Sequence, residues 1–129
     1  MTKDEKATQL HGNGYNCAQS VFGALSGECG IEENAALSIG AGFGGGCGCG
    51  ELCGSIAGGI MAIGAYFLGG EAHDSSKARM YRGEFIQRIK EQYGAVTCRE
   101  LKAPGKPVPC AEIISYCARL ADEIIKNNN

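Results

Sequence analysis

Apolar positions along this 129-residue chain recur at helical spacing. Val21, Phe22 and Leu25 form one stripe, Ala36, Leu37 and Ala41 a second, and Met80, Phe85, Ile86 and Ile89 a third, inward-facing one. No alternating apolar and polar run extends beyond four residues, so strands are not expected. Helix signals punctuate the stripes. Thr2 and Glu5 make a capping-box pattern for a first helix running to about His11, which Gly12-Asn13-Gly14 breaks. Asn16 can cap a second helix from Cys17 to about Ser26, and Glu28-Cys29-Gly30 reads as a turn. A shorter third helix spans roughly Glu32 to Gly40. Gly42 to Gly50 is a glycine loop, since each Gly inside a helix or strand costs roughly 0.5–1 kcal/mol relative to Ala. A central apolar helix follows, from about Glu51 to Phe67. Asp74, Ser75 and Ser76 open a fifth helix that Gly94 closes. A short turn begins at Thr97, and Pro104 to Pro109 is a loop. The last helix runs from about Cys110 to Lys126, with Asn127–Asn129 fraying. The expectation is an all-α fold: residues 1–129 as one compact bundle-like domain of about five to six helices, with a glycine-rich loop leading into the central helix.

The uncharged stretch from Leu52 to Gly70 reaches transmembrane length at nineteen residues. Six of them are Gly, and neither flank carries a basic cluster or aromatic belt, so a buried central helix is expected and no membrane span. Gly54, Gly58 and Ala62 would let neighbouring backbones approach closely.

Twelve basic and fourteen acidic residues leave a net charge of −2. No basic stripe appears, and Glu84, Glu91 and Glu100 interrupt the Lys and Arg residues between Lys77 and Lys106, which argues against a nucleic-acid partner. The N-terminal segment has no apolar core of a secretory signal, so the cytoplasm is the expected compartment. There, eight cysteines point to metal binding or redox work more than to structural disulfides, which a chain of this length does not need in order to fold.

Those cysteines carry the chemistry. Cys17 follows Asn16, Cys98 lies in Thr97-Cys98-Arg99-Glu100, Cys53 stands where the glycine loop becomes apolar, and Cys110 follows Pro107-Val108-Pro109. All four are at helix starts, where the positive end of the backbone dipole is expected to favour the thiolate. If these helix starts converge, four thiolates suit an iron–sulfur cluster, a four-cysteine zinc site, or two exchangeable disulfides. Cys47-x-Cys49-x-x-x-Cys53 adds a dense local cluster, although Cys47 and Cys49 can equally be small residues of a tight loop. Cys117 lies on the same face of the last helix as Cys110, either as a core residue or as a resolving thiol, and Cys29 has no evident partner. Gly40, Gly42 and Gly45 satisfy G-x-G-x-x-G, but no strand precedes them, and nucleotide binding is rejected. His11 and His73 are expected to be surface or capping residues.

Gly14-Tyr15-Asn16-Cys17-Ala18-Gln19-Ser20-Val21 resembles the N-C-A-Q segment of the C_GCAxxG_C_C family of redox-active proteins, and Gly50-Glu51-Leu52-Cys53-Gly54-Ser55-Ile56-Ala57-Gly58 is similar to its central signature. Thr97-Cys98-Arg99-Glu100-Leu101 and Cys110 match the third and fourth cysteines in order. Ser55 stands where the family usually has Ala, and Cys47, Cys49 and Cys117 are additional. The resemblance implies a small, cysteine-dependent, redox-active protein and names no substrate.

Together these readings give an electron-transfer or redox-sensing protein that holds an iron–sulfur cluster on Cys17, Cys53, Cys98 and Cys110, with Cys47, Cys49 and Cys117 as further candidates. The alternatives are a metal-free thiol–disulfide protein whose low-pKa thiols cycle between dithiol and disulfide with Cys47, Cys49 or Cys117 as resolving partners, and a non-catalytic four-cysteine zinc module. A redox partner protein is expected, and the apolar small-residue helix would suit a homodimer.

Overall fold

The computed structural model describes residues 1–68 and 76–129, and within them the fold is all-helical. Seven α-helices are present among the described residues: α1 (Lys3–Gly12), α2 (Cys17–Leu25), α3 (Glu33–Gly40), α4 (Gly54–Phe67), α5 (Ser76–Tyr93), α6 (Cys98–Leu101) and α7 (Cys110–Asn127). A 3₁₀ turn, Ala41–Phe43, ends the α3 segment, and the glycine loop continues to Gly50 with left-handed and irregular backbone at Cys47, Gly48 and Cys49. The capping box at Thr2 and Glu5 forms in full. Gly94 closes α5 at φ 75°, its N–H donating to the Lys90 carbonyl at 2.8 Å.

The central layer is α2 against α4, with α7 packed on both, α1 across α2 and α7, and α5 across α4 and α7. Val21, Leu25, Ile56, Ile63, Phe85, Ile89, Ile113, Ile114, Ile124 and Ile125 fill the space between them. Gly54 and Gly58 make the α2–α4 crossing close. A Cβ on Gly54 would stand 3.2 Å from the Ala18 nitrogen, and one on Gly58 would stand 2.9 Å from the Ala18 carbonyl oxygen. No helix among the described residues is long and apolar enough to cross a membrane.

Three expectations need correction or lie outside the described residues. Met80 is not inward-facing but 58% exposed, because Phe85 and Ile89 set the buried stripe of α5 and Met80 is well off it around the helix. The central helix does not begin at Glu51. Glu51–Cys53 is extended instead, and Leu52 forms an isolated antiparallel bridge with Thr97. Asp74 and Ser75, expected to open α5, lie outside the described residues, as does His73.

Candidate redox site

Each of the four helix-start cysteines is positioned by its own local device. Asn16 caps α2: its side-chain oxygen accepts from the Gln19 N–H at 2.8 Å, and the Gln19 side chain accepts from the Asn16 N–H at 2.9 Å. The same two side chains tie α2 to the α3 segment, Asn16 Nδ2 donating to the Ala41 carbonyl at 3.1 Å and Gln19 Nε2 to the Leu37 carbonyl at 3.0 Å. Ala18 is the small residue that accepts Gly54 and Gly58 of α4. Every residue of Asn16-Cys17-Ala18-Gln19 other than the cysteine therefore has a structural task, and the task is to hold Cys17 in place.

Cys53 is the N-cap of α4 and Cys98 the first residue of α6, and the short bridge joins them. The Cys53 N–H donates to the Val96 carbonyl at 2.9 Å, and the Cys98 N–H donates to the Glu51 carbonyl at 2.7 Å. Thr97 caps α6 through the Glu100 N–H. Pro109, with its restricted φ, delivers Cys110 at the start of α7.

The four sulfur-bearing residues line one cavity of about 120 Å³, whose walls are completed by Gly45, Gly54, Leu101 and Ile113 and by two polar side chains, Ser55 and Lys102. That volume exceeds the roughly 10–15 Å³ a single water requires. Cys53 is only 6% exposed, Cys117 is fully buried, and Cys17, Cys98 and Cys110 are half-buried.

The electrostatics run opposite to the helix-dipole expectation at two of these thiols. Burial pushes Cys17 up to about 11 from an ordinary 9.0, and the neighbouring Cys110 and Cys53 sulfurs add to it. Burial raises Cys53 as well, although the Ile56 and Ser55 amides and the Ser55 hydroxyl pull the other way. The partial charge of a helix terminus acts within one turn, and here the removal of water and the crowding of thiols outweigh it. Cys117 is raised well above its usual range by burial first, then by Cys53 and Cys17, which places it within electrostatic reach of both.

Ser55 bears on what the cavity can hold. Its hydroxyl is fully buried and has no hydrogen-bond partner among the described residues while the Cys53 sulfur is a neutral thiol. An unsatisfied buried hydroxyl costs roughly 1–3 kcal/mol. An anionic sulfur at Cys53 would give it an acceptor, so the donor set fits a thiolate-bound group. No group of three or more His, Cys, Asp or Glu side chains among the described residues is arranged to hold a single metal ion.

The remaining candidates fall elsewhere. Cys47 and Cys49 are exposed on the glycine loop and do not line the cavity. Cys29 does have a partner: its thiol donates to the Ala62 carbonyl of α4 at 3.3 Å. His11 Nδ1 lies 3.2 Å from the Tyr15 carbonyl at the end of α1, a local structural contact. Sequence reasoning missed Ser55 and Lys102 as cavity residues. Ser55 was readable as a departure from the family signature, and Lys102 from its position four residues after Cys98, one helical turn on.

The fold is all-helical among the described residues, and its helix starts present four cysteines to one cavity. The family model described as "Putative redox-active protein (C_GCAxxG_C_C)" matches residues 15–124, and the chain belongs to that family. Comparison with curated proteins and with solved structures yields no match.

Proposed function

We propose that the protein is an electron-transfer or redox-sensing protein that holds an iron–sulfur cluster on Cys17, Cys53, Cys98 and Cys110. The observation that supports it is the meeting of these four thiols, from four separate elements, around one cavity. A zinc ion needs its sulfurs about 2.3 Å away on all sides, which brings them close to one another. A cluster instead carries its thiolates on separate irons, around a volume that must otherwise be left open. The four thiols border an open volume of about 120 Å³, which leaves room for a cluster. When bound, such a group supplies one-electron redox chemistry. The chain supplies the rest. Thiols that burial keeps protonated would give up their protons on ligation, Ser55 would donate to the Cys53 sulfur, and the Lys102 ammonium, now anchored on the Val108 carbonyl, would offset negative charge at the cavity wall. A redox partner protein would deliver or accept the electron.

The test is anaerobic expression with iron and sulfide supplied, followed by iron and sulfide analysis and visible spectroscopy. Stoichiometric iron and sulfide with charge-transfer absorption is the expected result; a colourless, iron-free protein made that way overturns it. One observation favours a metal-free dithiol reading: Cys17 and Cys110 line the same cavity, and the Cys110 sulfur is near enough to help raise Cys17. That reading predicts a reversible disulfide between those two in the iron-free protein, detected by alkylation and mass spectrometry.

A further inference from the structure

Cys47 and Cys49 are left without a task by the cavity, and their backbone is left-handed or irregular. Cys47 sits at φ 60°, ψ 30°, and is the one non-glycine residue with positive φ among the described residues. For a residue with a Cβ, the left-handed conformation costs roughly 1–2 kcal/mol. The strain is held by three contacts: the Glu51 N–H donates to the Gly46 carbonyl at 3.0 Å, the Cys49 thiol donates to the same carbonyl at 3.4 Å, and the Arg99 guanidinium donates to the Cys49 carbonyl at 3.1 Å. Arg99 is itself paired with Glu51 at 2.9 Å.

The consequence is geometric. Gly48, at φ 73° and ψ 4°, folds the chain back between the two cysteines. With standard bond lengths and angles, these dihedrals put the Cα atoms about 5 Å apart, project both Cβ atoms to the same side of the turn, and separate them by about 5 Å. Cysteine Cα atoms in disulfides are usually about 4.4–6.8 Å apart and Cβ atoms about 3.5–4.5 Å. The pair is thus preset for closure, short by about one ångström at the Cβ atoms. Strained and exposed disulfides are the more oxidising, more labile ones.

The geometry points to a second, solvent-facing redox site: Cys47-Gly48-Cys49 is a dithiol that exchanges with external disulfides. One thiolate attacks a sulfur of the incoming disulfide, giving a mixed disulfide and releasing one thiol. The other loop thiolate then attacks the loop sulfur of that mixed disulfide, forming the Cys47–Cys49 bond and releasing the second thiol. Two electrons and two protons pass from the loop to the substrate, whose class is a small-molecule or protein disulfide able to reach an exposed loop. The inference stands apart from the cluster reading, because neither cysteine lines the cavity.

The probe is oxidised glutathione in excess over the reduced full-length protein. Alkylation and cleavage after Glu33 and Glu51 then isolate both cysteines in a peptide containing no other. The wild type is expected to release two equivalents of reduced glutathione per loop and to leave an intraloop disulfide without adduct. Cys47→Ser and Cys49→Ser should each release one equivalent and retain one stable glutathione adduct. Gly48→Val keeps both thiols but abandons the turn, on a side open to solvent, and should slow closure at least tenfold. Two adducts on the wild-type loop, no reaction there, pairing with another cysteine, or closure in Gly48→Val at the wild-type rate overturns the proposal. Iron content of the double variant C47S/C49S reads the cavity separately: its loss would sink the placement of these cysteines outside the cluster site.

Discussion

Gly58 of α4 lies so close to Ala18 of α2 that a Cβ on Gly58 would stand 2.9 Å from the Ala18 carbonyl oxygen and 3.1 Å from the Val21 Cβ. Two helix backbones meet there without a side chain between them, and Cys17 is carried by one while Cys53 caps the other. Gly58→Val should therefore destabilise the protein by about 1–3 kcal/mol through overpacking, and should also disturb the cavity. Urea unfolding measures the first effect; cysteine alkylation rates measure the second. Unchanged stability would mean that the crossing is looser than its geometry indicates.

Asn16 is predicted to be worth more than an ordinary cap. Removing an N-cap side chain costs about 1 kcal/mol, and here the bond to the Ala41 carbonyl goes with it. Asn16→Ala should lower stability by about 1–2 kcal/mol in urea unfolding, whereas Asn16→Asp, which keeps the cap and loses the donor, should recover about half of that.

How much of this was readable in the sequence follows from where each signal is local. Helix starts are local: Asn16, Thr97 and Pro109 announce three of the four cysteine positions, and small residues announce the close face of α4. The extended Glu51–Cys53 segment is not local, because its partner, Val96–Cys98, is distant in the chain and no pattern in either strip names the other. The thiol electrostatics were unreadable for a related reason. A helix start argues for thiolate, but burial and the proximity of other sulfurs are products of convergence, and at Cys17 they win.

That balance has a kinetic consequence in the metal-free protein. Cys17, raised to about 11 from 9.0, carries about a hundredfold less thiolate at neutral pH than an unperturbed thiol. The greater nucleophilicity of a more basic thiolate returns somewhat under tenfold, so Cys17 should alkylate roughly tenfold more slowly before hindrance is counted. The sign for stability follows: a thiol whose folded pKa is raised stabilises the fold fully below its unfolded value, and the contribution is lost as pH rises through the window from about 9 to about 11. Alkylation time courses resolved by mass spectrometry, and urea midpoints across that window, check both. A Cys17 rate equal to that of exposed Cys47 would refute the burial argument.

Ser55→Ala separates the two states of the cavity. In the metal-free protein it removes a buried hydroxyl without a partner, so stability should rise by about 1 kcal/mol. With a cluster in place it removes a donor to the Cys53 sulfur, and a hydrogen bond stronger by about 1 kcal/mol in the reduced state than in the oxidised one corresponds to a drop of roughly 40 mV in a one-electron potential when it is lost. Redox titration of the loaded protein and thermal unfolding of the metal-free one read the two effects independently. A potential that does not fall means the Ser55 hydroxyl does not serve the sulfur.

Cys53 gives the sharpest contrast, because it caps the central helix, is nearly inaccessible, and is tied through its own N–H to Val96 beside Cys98. Cys53→Ser preserves size, but a serine hydroxyl is seldom deprotonated and binds iron poorly, so iron, sulfide and visible absorption should fall to background. The fold should persist, since burying a hydroxyl in place of a thiol costs about 1–3 kcal/mol and the isoleucine-rich core is untouched. Cys29→Ser is the matched control. Its thiol donates to the Ala62 carbonyl, a contact a hydroxyl can replace, and lies outside the cavity, so iron content should remain at the wild-type level. Circular dichroism establishes that both variants are folded, and iron analysis then decides. Wild-type iron in folded Cys53→Ser would reduce Cys53 to a packed core thiol and remove it from the proposed cluster site.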